Sequence, residues 1–190
     1  MLNDAKRLIL PVDNYTTGDY RAFGATIRRH VLLWATHLGD DVAVPAGTPV
    51  RAIGPGKVVL AKTLPGSEDH RSWGGLVVLK HDLNDQGPMT NNQSNPKPQL
   101  PGIFYSLYGH LKGLRVKAGE HVEQGQPLGV VAEGPTPENG WWKNAHLHFG
   151  IYTGPWNGRV LPGYWRPEQF WRTKKKWWHN PRAFIQKHAN

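Results

Sequence analysis

The stretch His146-Leu147-His148-Phe149-Gly150-Ile151-Tyr152 decides how the chain is read. It has the composition of a β-strand, and the strand period of two puts the imidazoles of His146 and His148 on one face while Leu147 turns to the other, towards a core. Runs of the same character, rich in β-branched residues and bounded by Gly or Pro, recur at 57–61, 75–81, 103–108 and 127–132. Tight turns punctuate the spaces between them, among them Ala46-Gly47-Thr48-Pro49-Val50, Gly54-Pro55-Gly56, Lys117-Ala118-Gly119-Glu120 and Gln124-Gly125-Gln126-Pro127. The pattern predicts an all-β protein, an antiparallel barrel or sandwich. Two stretches break the rhythm and read as long loops: 84–102, which is polar and aperiodic, and 133–144, which carries Trp141-Trp142 just before the histidine strand. A loop in that place forms the wall of a cleft, so Trp141 and Trp142 are candidate substrate contacts. At the other end Asn180 is a helix cap and Pro181 suits the first helical position, so 182–188 is predicted as a short helix.

Composition narrows the chemistry. A chain of 190 residues can bury a core without disulfides or oligomerisation, so one domain and a monomer are expected. There is no cysteine, which excludes a disulfide framework, a thiolate metal cluster and a cysteine nucleophile, and leaves metal chemistry to histidine and carboxylate. Leu8-Ile9-Leu10 is followed by Pro11 and polar residues, too short for a signal-peptide core or a membrane span, so a soluble chain is expected. Of the net charge of +9, residues 155–190 supply +7, together with five of the nine tryptophans. A basic, Trp-rich surface fits an anionic polymer or a glycan. Lys174-Lys175-Lys176-Trp177-Trp178 could also be taken for nucleic-acid binding, but a solvated charge run beside packing tryptophans is the preferred reading, and no nucleic-acid partner is expected. No phosphate-cradling glycine loop, Gly-x-Ser-x-Gly elbow or carrier lysine in a tight hairpin is present.

Two further strings bear on function. His37-Leu38-Gly39-Asp40-Asp41 has helical spacing, but the internal glycine and the following Val42-Ala43-Val44-Pro45 argue for a loop entering a strand, with Gly39 permitting the bend. Tyr108-Gly109-His110-Leu111 places a third histidine in a strand-like setting. Taken singly, each string could be a surface histidine beside solvated acids. Taken together and in this order, with Gly-Thr-Pro-Val just downstream of the first, His-x-Gly-x-Asp, Tyr-x-His-Leu and His-Leu-His-Phe resemble the lysostaphin and LytM family of zinc endopeptidases that cut peptidoglycan cross-bridges and stem peptides. The resemblance runs over 23–152 and takes in Phe23-Gly24, the 46–56 turn region and the segment from Val116 to Gly129.

The resemblance implies a duplicated hybrid motif fold and one zinc ion per chain, with His37, Asp41 and His148 as its three protein ligands and a fourth position left for water or substrate. It implies His110 and His146 as the catalytic histidines: His146 as general base towards the water, His110 as a group that stabilises the oxyanion or assists proton transfer. Asp40 falls at the motif's variable position and is expected to be a solvated charge. Two departures stand out: Gly150 occupies a place where relatives carry Glu, and Val31, Leu32, Leu33 and Trp34 offer no tyrosine ahead of the first ligand. The expected organisation is an N-terminal extension (1–22), a zinc peptidase domain (23–154) and a basic, Trp-rich extension packed on it (155–190). The expected substrate is peptidoglycan or another peptide, with a possible anionic cell-wall polymer as partner, in the cell wall, periplasm or extracellular space. A non-catalytic wall-binding or regulatory member of the family is the alternative, and a histidine phosphocarrier fits poorly with Asp41. His30, His70, His81, His121, His179 and His188 read as surface or packing residues.

Overall fold

The computed structural model describes residues 8–30, 33–83 and 102–189. The long loop expected at 84–102 lies outside them except for Gly102, as does the side chain of His30. In chain order the strands are β1 (Thr26–His30), β2 (Leu33–His37), β3 (Asp40–Val42), β4 (Pro49–Arg51), β5 (Gly56–Leu64), β6 (Gly74–Asp82), β7 (Ile103–Lys112), β8 (His121–Val122), β9 (Pro127–Val131), β10 (Leu147–Tyr152), β11 (Tyr164–Trp165) and β12 (Trp178–His179), followed by one helix, α1 (Pro181–Lys187). Nine strands make an antiparallel sheet whose main path runs β12-β10-β7-β6-β5-β8, with β3 added to β10 and β9 joining β4 and β7. A second sheet, β1-β2-β11, is separate. The large sheet stays open, so the barrel half of the expectation is corrected: its strands do not close on themselves.

The central strands read as nearly continuous apolar runs because both faces are covered. Leu76 and Val78 of β6, with Tyr105 and Leu107 of β7, point into one cluster; Val77, Leu79, Phe104 and Tyr108 point into the other. The cluster around Tyr108 also takes in Leu8, Val12 and Tyr15, so residues 8–15 run across the sheet rather than trailing from it. Ile185 of α1 joins the same cluster, and the Asn180 side chain caps the helix by accepting from the Ala183 N–H at 2.9 Å.

The other face is closed by the C-terminal segment. Trp178 is buried, and Trp156, Trp165 and Trp177 pack against its cluster. Four of the five C-terminal tryptophans are therefore packing residues, and of the five Trp171 alone is strongly exposed, at 70%.

A polar chain crosses the Tyr108 side of the core. His81 Nδ1 donates to the Pro55 carbonyl at 2.7 Å, its Nε2 meets the Ser106 hydroxyl at 2.7 Å, and Ser106 is linked to the Tyr108 hydroxyl at 3.0 Å. Burial pushes the His81 pKa down to about 4, against a partial upward pull from Pro55. A depressed histidine pKa favours the neutral ring in the folded state, so its contribution is complete above about pH 6.5 and is lost as pH falls towards 4. The expected outcome is that the stability difference between wild type and His81→Gln, from chemical denaturation, shrinks by about 2 kcal/mol between pH 7.5 and 4.5. A difference that does not vary with pH would contradict the buried neutral assignment.

Candidate metal centre and its cleft

The centre begins with a cross-strand pair. β3 runs antiparallel to β10 with Asp41 opposite His148, so the two side chains share one face of the sheet. His37 closes β2 and reaches the same point across the turn at Leu38 and Gly39. The first motif is thus strand, turn and strand, where the sequence suggested a loop leading into a strand. A side chain at Gly39 would put its Cβ 2.5 Å from the Phe149 carbonyl oxygen and 2.6 Å from His148 Nε2. Glycine is needed because the turn passes directly against β10.

Three ligand atoms converge on one point. Asp41 Oδ1 lies 2.9 Å from His148 Nδ1 and 3.2 Å from His37 Nε2, and the two ring nitrogens are 3.2 Å apart. Ligands bound at about 2.0–2.1 Å around a tetrahedral ion are separated by about 3.3 Å, so the triangle closely matches one face of such a tetrahedron. The donors also suit a cation. His37 Nδ1 is 3.3 Å from the Ala22 carbonyl, which can only accept, so the ring proton sits there and Nε2 turns a lone pair towards the Asp41 carboxylate. Two acceptors facing each other in a buried site call for a positive charge between them. Burial by itself would raise the Asp41 pKa, but its contacts with His148 and His37 outweigh that and hold it well below the usual carboxylate range. Burial moves His148 downwards despite its bond to Asp41.

His146 and His110 stand beside this triangle. His146 Nδ1 donates to the Asn144 carbonyl at 2.9 Å, leaving Nε2 as a lone pair 3.8 Å from Asp41 Oδ1. His110 owes its place to a bulge: Val77 of β6 pairs with Tyr108 and Gly75 with Leu111, so β7 spends three steps where β6 spends two. His110 takes up the extra residue at φ 65°, a left-handed conformation that costs a non-glycine residue about 1–2 kcal/mol. The bulge returns Leu111 to the Tyr108 cluster and turns His110 towards His146, with ring centroids 4.5 Å apart. Burial, then the nearby His146 and His148, push the His110 pKa well below its ordinary value, so the ring is neutral at working pH. Its Nδ1 is buried without a hydrogen-bond partner.

All of these except His37 border a cavity of about 380 Å³. Trp142 also borders it and is fixed by Nε1 donating to the Ser72 carbonyl at 2.9 Å, whereas Trp141 is not among the lining residues. Three aromatic residues beside the site were not singled out from sequence. Trp73 stacks on His110 at 5.9 Å and meets His148 edge-on at 4.9 Å; Tyr164 lies 5.1 Å from His37; Tyr20 lies 5.6 Å from His146. Tyr20 and Tyr164 bring phenols to the site from outside the segment ahead of His37. Tyr164 left no sequence signal, because β11 is only two residues long. Trp73 had one, Gly109, where a Cβ would sit 2.7 Å from the indole.

One expectation is overturned. Asp40, read as a solvated charge, is buried: its Oδ2 accepts from the Tyr15 hydroxyl at 2.7 Å and its Oδ1 from the Phe23 N–H at 2.8 Å. Strand alternation sends it to the face opposite Asp41, where it ties the N-terminal segment to β3. At Gly150 a Cβ would approach the Trp178 ring to 3.2 Å, so the C-terminal segment packs directly over this position.

The chain is similar to several known proteins. Residues 99–161 match the model of peptidase family M23. Over 117 residues the chain is 29% identical to the peptidoglycan DD-endopeptidase ShyA of Vibrio cholerae, covering 62% of this chain but 20% of that protein, so it spans about a fifth of the length of that relative. Among solved structures it is similar to lysostaphin from Staphylococcus simulans (22% identity, 93% of this chain and 52% of that one, TM-score 0.54). It is also similar to LytU (19% identity, 98% and 89%, TM-score 0.54). At these identities the two structures establish the antiparallel β fold.

Adjacent aspartates with opposite surroundings give a sharp test. Asp41→Ala is expected to abolish stoichiometric metal binding by elemental analysis after dialysis. Asp40→Ala is expected to keep the metal and lose about 2–4 kcal/mol of stability, because it strands the buried Tyr15 hydroxyl and the partly buried Phe23 N–H. Metal retained in the first variant, or lost in the second, would reverse the assignment.

Proposed function

We propose that the chain is a zinc-dependent endopeptidase that hydrolyses peptide bonds in the cross-bridges or stem peptides of peptidoglycan, with His37 Nε2, Asp41 Oδ1 and His148 Nδ1 as its metal ligands. The observation that carries the reading is the near-tetrahedral triangle of these atoms at the edge of a cleft, with the His146 Nε2 lone pair beside it. A zinc ion bound there supplies a water acidified to near-neutral pKa and polarises the scissile carbonyl. Three protein ligands are the number that leaves a position for that water.

The chain's own residues divide the remaining work. Asn144 holds the His146 proton on Nδ1, so Nε2 is set to accept a proton from the attacking water and later to pass it to the leaving amine. His110, kept neutral by burial and with Nδ1 unpartnered, faces the substrate to stabilise the oxyanion or relay the proton. Trp73 and Trp142 fix the orientation of both rings. Peptidase residues 23–154 with 155–190 packed on them as one unit, acting in the wall, periplasm or extracellular space as a monomer, is part of the same reading. So is attraction of the basic segment to anionic wall polymers.

His146→Ala and His110→Ala are each expected to keep zinc and fold while hydrolysis falls by roughly two or more orders of magnitude. Digestion of purified peptidoglycans of several cross-link types, with mass spectrometry of the fragments, reads this directly. Wild-type zinc protein that releases no peptide fragment from any of them would refute the reading, and a variant that loses its zinc would refute the division of roles.

A further inference from the structure

Three arginines line the cleft, and all of them lie outside the segment 99–161 that the family model matches. Asp41 is the only acidic residue lining it among the described residues, and its charge already faces imidazoles. Arg71, Arg166 and Arg172 line it as well. Arg166, Gln169 and Arg172 are spaced by three along consecutive tight turns, with the Gln169 N–H bonded to the Arg166 carbonyl at 2.9 Å and the Arg172 N–H to the Gln169 carbonyl at 3.0 Å. A 3₁₀ turn repeats every three residues, so these side chains fall in one row, and all three border the cavity while Phe170 between them is exposed. The row is held against the metal centre because Tyr164 of β11 pairs with His37 of β2 and the Leu38 N–H donates to the Gly163 carbonyl at 3.0 Å. Arg71 comes from the β5–β6 connection, where its Nη1 donates to the Ser67 and Glu68 carbonyls at 3.3 and 2.8 Å.

We propose that Arg166 and Arg172, with Arg71, are specificity residues that recognise a carboxylate on the peptide substrate, so that the chain favours acidic peptides over neutral ones such as amidated stems or glycine bridges. This rests on the peptidase reading and names the substrate class of the same site. Guanidinium groups match a carboxylate with two parallel N–H donors, and a neutral amide in its place offers neither the charge nor two acceptors. A cleft with three arginines and one engaged carboxylate also concentrates anions at its mouth, an effect that weakens with salt.

The test uses two peptides of identical sequence, one with free carboxylates beside the scissile bond and one with those groups amidated. Rates are measured with the zinc-loaded protein, and binding is measured separately with zinc-free protein by quenching of tryptophan fluorescence. The acidic peptide is expected to be favoured by about tenfold or more in kcat/KM and in affinity at low salt. Arg166→Gln/Arg172→Gln is expected to bring both ratios towards unity. Arg71→Gln and Arg172→Gln alone, at exposed side chains, are expected to lower them partway and keep the test independent of any effect of Arg166 on folding. Equal preference in wild type, ratios unchanged in the variants, or an inorganic polyphosphate that binds while the two peptides are not distinguished would each overturn the proposal. Failure to cleave either peptide would count against the peptidase reading alone, because the binding ratio still decides the carboxylate question.

Discussion

The Asp41 carboxylate is buried at the edge of the cleft, 2.9 Å from one imidazole nitrogen and 3.2 Å from another. An isolated buried carboxylate costs several kcal/mol, so the surrounding fold must place compensating groups closely, and much of the chain is arranged to do so. The β3–β10 pairing puts His148 opposite Asp41, Gly39 lets β2 deliver His37 to the same point, and Asp40 fixes β3 from the other side through Tyr15 and Phe23. Two adjacent acids thus face opposite ways, one holding the segment and the other serving the site. His146 and His110 depend on the same frame, His146 through its place just before β10 and His110 through the bulge in β7.

Much of this was legible beforehand because strand alternation is a strict rule. The runs at 57–61, 75–81, 103–108, 127–132 and 146–152 correspond to β5, β6, β7, β9 and β10, and the Asn180 cap starts α1. Alternation also placed His146 and His148 together. What it could not reveal was where it breaks. His110 belongs by parity to the Tyr108 face, and only the bulge, visible in the pairing with β6, turns it to the site. Asp40 was misread for a related reason: next to a ligand in a polar string, nothing local indicates that Tyr15, 25 residues earlier, supplies its partner. Tyr164 and the arginine row escaped notice because they reach the site through a short strand pair, β11 with β2, whose sequence is too brief to show a period.

The C-terminal segment carries more of the site than composition suggested. Beside its solvated lysines, Trp156, Trp165, Trp177 and Trp178 close one face of the sheet. Trp178 lies over Gly150, Tyr164 over His37, and Arg166 to Arg172 forms a cleft wall. The triangle of His37, Asp41 and His148 therefore sits in the sheet, while residues 160–172 supply one wall of the cleft beside it. A wall built separately from a fixed centre is how one β scaffold can serve ligands of different charge.

Zinc K-edge X-ray absorption on the zinc-loaded protein, read together with anomalous diffraction from its crystals, tests the central claim most directly. The account predicts one ion bound at about 2.0–2.2 Å by His37 Nε2, Asp41 Oδ1 and His148 Nδ1, with an oxygen from solvent as the fourth ligand. An ion held by His110 or His146 as well, which would close the coordination shell, or one bound away from Asp41, would contradict it.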